Sequence, residues 1–212
     1  MRSPFKQPVV KDQLTLFVFV SVLFVVGAIF GALVVSALTL EQQQTLADDI
    51  DHYVKLMDAG IAPDGAATFR DRLLFHAKWL LLIWLLGTTV VGVPLVLALD
   101  FLKGVLVGFA VGTLVSQHAW KGAAFSLASV APANILAVPA ILIASAAAVS
   151  FAVYVAKNRI LFRQGTLMPQ FVSFSSTVLL MLFALAGAAF LEAYVSPVLI
   201  KWAAPLIVAA GL

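Results

Sequence analysis

Long apolar runs separated by short polar breaks organise this chain. Residues 14–38 carry no charge at all, and about 20 apolar residues are enough for a helix to cross the hydrocarbon core. Basic Arg2, Lys6 and Lys11 precede the run, and Val35-Ser36-Ala37 resembles a signal cleavage site. The apolar core of a signal peptide is only about 7–15 residues long, so an uncleaved anchor is expected. Further spans are predicted at about 79–99, 104–120, 134–156 and 171–195. Pro132, Asn134 and Pro139 interrupt the apolar run 122–156. A short interfacial or re-entrant helix over 122–131 is therefore expected before the fourth span. The tail after Pro197 is too short to cross and is expected to lie at the surface or insert shallowly.

Residues 39–78 form the one sizeable polar loop. Thr39 and Gln42 have the spacing of a capping box. Leu46, Ile50, Tyr53, Val54 and Met57 then recur at helical spacing. Gly60 and Pro63 end that helix, and a second one is expected from about Ala66 into the next span. Such an amphipathic helix lies on the membrane surface or offers a docking face. The pattern predicts an all-α, polytopic membrane protein over 1–212, with five transmembrane helices and a short interfacial or re-entrant helix. Trp79 and Trp84 suit an interface at the start of the second span, and Pro94 late in it can kink it.

Asp100 and Lys103 stand in the middle of the apolar stretch 97–112. Burying them in one continuous crossing would cost roughly 2.5–3.5 kcal/mol each on insertion scales. A tight turn at the membrane edge, with the two paired across a helical turn, avoids that cost. It also puts the basic N-terminal arm and the basic loop 157–170 on one side, which short-loop charge rules read as cytoplasmic. The loop 39–78 is then extracytoplasmic. Glu192, near the outer end of the last span, is a candidate functional acid because ionisable groups inside membranes usually serve a purpose.

Composition agrees with the pattern. Hydrophobic residues make up 63% of the 212 positions and charged residues 11%, against about 25% charged in soluble domains. The net charge of +3 reflects cations beside apolar runs, so nucleic acid is not an expected partner, whereas membrane lipid is. There are no cysteines, and His52, His76 and His118 form no zinc-ligand pattern. No catalytic constellation, cofactor or metal site is expected, and the spans offer no chain of titratable groups for a proton relay. Gly104, Gly108 and Gly112 recur every fourth residue, as do Gly27 and Gly31. Small residues at this spacing let helix backbones approach closely, within the chain or in self-association.

FVFVSVLFVVGAIFGALVVSAL, FLKGVLVGFAVG, WKG at 120–122, SVAPANIL followed by Pro139, and EAYVSP at 192–197 occur in this order. Together they resemble stage II sporulation protein M of endospore-forming bacteria. The resemblance implies a mother-cell septal membrane protein needed for engulfment of the forespore. It would be a non-enzymatic scaffold that places the wall-cleaving stage II sporulation proteins D and P. Lys103, Trp120, Lys121, Pro132, Asn134, Pro139, Glu192, Tyr194 and Pro197 are the candidate functional or partner contacts. A transporter or permease-like subunit is the alternative, and it requires a polar cavity inside the membrane that includes Asn134.

Overall fold

The computed structural model describes residues 7–60, 64–161 and 167–208. Arg2, Lys6, Pro63, Arg163 and the side chains of Lys11, Met57, His118 and Arg159 lie outside the described set. All regular structure among the described residues is helical: α1 (Gln7–Ser36), α2 (Leu40–Asp58), α3 (Gly65–Gly87), α4 (Val93–Ser129), α5 (Ala131–Val155), α6 (Met168–Phe190) and α7 (Ser196–Val208). π-helical turns follow α5 (Ala156–Leu161) and α6 (Leu191–Val195). Four described stretches are long and apolar enough to cross a membrane: Gln13–Ser36, Val93–Gln117, Ala131–Asn158 and Met168–Ala204.

Local chemistry sets the ends of α2 and α3. Thr39 Oγ1 accepts from the Gln42 amide at 3.3 Å, and Gln42 Oε1 accepts from the Thr39 amide at 3.0 Å. This reciprocal box satisfies donors that a helix start leaves open. After α2 the backbone turns through Gly60 at φ 78°, a conformation that favours glycine. Asp64 Oδ1 then caps α3 through the Ala66 amide at 3.1 Å. Val54 is 1% exposed and anchors the apolar face of α2.

The break between the second and third expected spans lies elsewhere. It falls at 88–92, where Thr88 and Thr89 hydroxyls bond back to the carbonyls of Leu85 and Leu86. Pro94 is in the first turn of α4, where its missing N–H costs no helical bond, and so produces no kink. Asp100 and Lys103 therefore lie inside one continuous helix, 0% and 8% exposed, and mark no membrane edge. Trp79 and Trp84 sit within α3 and not at its start; Trp84 Nε1 donates to Ser175 Oγ on α6 at 3.1 Å.

Parallel packing of α1 on α4 is the largest helix contact in the fold. Gly27 and Gly31 face the backbone of Phe101 and Val105, while Gly104, Gly108 and Gly112 face Phe24, Ala28 and Ala32. Two neighbouring helices can run parallel only if the chain returns between them, and α3 makes that return. Its first residue, Gly65, packs on Tyr194, and its last, Gly87, packs on Ala148 and Phe174. Its 23 residues span about 35 Å at 1.5 Å per residue. Arg70, Asp71, Arg72 and Lys78 keep it from reading as an apolar span.

Ala119, at φ 48° and ψ −126°, interrupts the α4 helix. Leu114 and Phe125 share one core cluster, and Ala110 and Ser129 line one cavity. Both pairs bracket Ala119, so 120–129 folds back along the 110–118 part of α4. α5 then runs unbroken through Asn134 and Pro139. The expected division of this run falls at Val130, with Pro132 in the first turn of α5, while Pro139 is accommodated inside the helix and does not interrupt it. The described part of the tail buries one face and leaves Val198 and Trp202 exposed on the other. Ile200, Ala203 and Ala204 of α7 pack with Val54, Leu114 and Phe125 in a second core. The main core joins α3, α4, α5 and α6 around Ile83, Val96, Ile141, Ala144 and Leu185.

Candidate functional site

Four helical segments bring polar side chains together inside this apolar bundle. A cavity of about 220 Å³ is lined by Arg72 and His76 of α3, Lys103 of α4, Asn134 of α5 and Glu192 of the second π turn. Arg72 and His76 stand one turn apart on the same face of α3, the i and i+4 positions of a helix. The wider π turn at Leu191–Val195 carries Glu192 to the cavity, and π turns recur at functional sites.

Arg72 Nη1 pairs with Glu192 Oε1 at 3.2 Å, with the arginine side chain 51% exposed and the glutamate 27%. Arg72 therefore forms the mouth of the cavity. His76 Nε2 lies 3.8 Å from Glu192 Oε2, beyond hydrogen-bond reach. Its side chain is 5% exposed, and neither ring nitrogen has a hydrogen-bond partner. Lys103 Nζ lies over the rings of Phe75 and Trp79, 5.6 and 5.9 Å from their centroids, within cation–π range. Asn134 Nδ2 donates to the Val130 carbonyl at 2.8 Å.

Asp100 is turned away from this cavity toward α5. Ser145 Oγ donates to its Oδ1 at 2.8 Å, while Oδ2 has no partner. No ion pair within 4.0 Å joins Asp100 to Lys103 among the described residues, so the expected pairing across one turn does not form. The two charges of one stretch serve two different helix contacts.

A second cavity, also about 220 Å³, shares Arg72, Ser129 and Glu192 with the first and adds Tyr53, Ser196 and Pro197. Ser196 Oγ is buried without a partner. Burial pushes the pKa of the Tyr53 hydroxyl up, with Arg72 opposing and Glu192 adding to the shift. That hydroxyl consequently remains a donor at neutral pH.

Lys103, Asn134, Glu192 and Pro197 therefore meet at or beside one site. Trp120 (84% exposed) and Lys121 stand exposed just past the Ala119 kink, away from it. Tyr194 stacks near Phe190, with ring centroids 4.9 Å apart, and covers Gly65. Pro132 and Pro139 belong to the α5 backbone. Sequence reasoning missed Arg72, His76 and Ser145. The first two had a legible signal, since a basic residue and a histidine at i, i+4 share a helix face. Ser145 had none. Among the described residues, no group of three or more His, Cys, Asp or Glu is placed to hold a metal.

A family model described as stage II sporulation protein M matches residues 20–197. The chain belongs to that family. Neither curated proteins nor solved structures give a match. The matched range contains both glycine faces and all five cavity side chains. Membership in the stage II sporulation protein M family assigns a sporulation-related, non-enzymatic membrane role.

Proposed function

We propose that this chain is a membrane platform for forespore engulfment that holds stage II sporulation proteins D and P at the septum. The family match over residues 20–197 carries the reading. The polar helix α2 supports it by offering a surface to partners on one end of the bundle. In this reading five helices cross, α1, α3, α4, α5 and α6, with the N-terminus in the cytoplasm of the mother cell. On this reading the basic N-terminal arm and the basic loop 157–170 lie on one side of the membrane. That agrees with a cytoplasmic assignment for both.

Deletion of the gene in its host, followed by starvation and membrane-dye imaging, tests the proposal. Flat or bulging septa with an unengulfed forespore support it. Normal engulfment, or a host that forms no spores, removes it. A permease-like role is the second reading, favoured by the polar cavity that contains Asn134. It requires solute uptake that the deletion abolishes.

A further inference from the structure

We propose that the cavity between Arg72, His76, Lys103 and Glu192 is a binding site for a phosphate group. The charge balance points to an anion. Arg72 and Glu192 neutralise each other at 3.2 Å. Asp100 is committed to Ser145 on the α5 side. What is left is Lys103, 8% exposed, with no carboxylate within 4.0 Å among the described residues. Taking an ammonium out of water costs several kcal/mol, and Glu192, the carboxylate of the same cavity, is already paired with Arg72. Two aromatic faces nearly 6 Å away return only part of that.

Hydrogen-bonding capacity points the same way. His76 is buried at the cavity with neither ring nitrogen hydrogen-bonded, Nε2 standing 3.8 Å from Glu192 Oε2, and buried polar groups are normally satisfied. A tetrahedral oxyanion accepts from Lys103 and His76 together and from the free guanidinium donors of Arg72 at the mouth. The adjoining cavity supplies the Tyr53 hydroxyl and the unpartnered Ser196 Oγ for whatever the phosphate is esterified to. A lipid headgroup and a free phosphate share this chemistry. Binding is a property of the chain itself, so its test stands apart from the sporulation reading.

The full chain is purified in dodecyl maltoside, a detergent without phosphate, and its thermal midpoint followed. One arm titrates inorganic phosphate against sodium chloride of equal ionic strength. The other adds phosphatidylglycerol to the micelles, against an equal amount of a phosphate-free diacylglycerol. A midpoint that rises in the first arm assigns a soluble phosphate, and a rise only in the second assigns a lipid headgroup. Lys103→Met is expected to weaken the apparent affinity at least about tenfold, the range of one charge-assisted hydrogen bond. It is also expected to hold or raise the midpoint of the unliganded chain. Should that variant fail to accumulate, His76→Phe provides the second reading through a reduced shift. No rise in either arm, or an undiminished rise in the variant examined, overturns the proposal.

Discussion

Gly108→Ala is the sharpest test of the α1–α4 interface. A Cβ at this position would fall on the Ala28 carbonyl and lie 2.7 Å from the Ala28 Cα. Carbon atoms in contact prefer about 3.5–4.0 Å, so the helices would have to part by roughly 1 Å. The obstacle is helix backbone, which cannot rotate aside as a side chain can. Overpacking of this kind costs about 1–3 kcal/mol. Separation would also weaken interhelical Cα–H···O contacts, worth about 0.5–1 kcal/mol each. Alanine's better helix propensity returns about 1 kcal/mol. A net loss of about 1–3 kcal/mol is expected, and a larger one for Gly108→Leu. Gly187→Ala is the matched control. Its nearest atom would be Leu136 Cδ1 at 3.5 Å, an ordinary contact, so propensity alone should leave it neutral or up to about 1 kcal/mol more stable. Denaturant unfolding of both variants in mixed micelles measures the difference. A Gly108→Ala protein as stable as its Gly187→Ala counterpart would refute close backbone packing at this face.

Ala119→Gly should stabilise the chain, because a non-glycine residue at φ 48° costs on the order of 1–3 kcal/mol; an unchanged or lower thermal midpoint would contradict the reversal at this residue. Ser145→Ala removes the one hydrogen bond to fully buried Asp100 and should cost about 1–3 kcal/mol; a denaturant-unfolding stability equal to that of the unsubstituted chain would contradict this contact. Arg72→Ala breaks an ion pair whose arginine is half exposed, so its effect on unfolding stability should stay within about 1 kcal/mol. The chain has no cysteine, which makes single-cysteine labelling clean: Gln44→Cys should react with an impermeant thiol reagent in intact cells and Lys157→Cys should not, and the reverse pattern would invert the proposed orientation.

The sequence by itself determined the class of this protein and its glycine faces. Uncharged runs as long as 14–38 can be satisfied only in a membrane, and Gly at every fourth position needs only helical geometry to form one face. The Thr39–Gln42 box was equally local. Tertiary structure decided what became of the charges. The energetic cost of burying Asp100 and Lys103 suggested a turn, since a one-dimensional reading prices each charge as if it met lipid. Packing gave Asp100 a serine 45 residues away and Lys103 a pair of aromatic rings on α3, so α4 runs straight through both. The same holds for Arg72, His76 and Glu192. Their meeting depends on α3 returning antiparallel to α6 and on a π turn that carries Glu192 to the cavity. Neither the direction of a helix nor the register of its neighbour is written in its own periodicity, so the site became visible only when the helices were assembled.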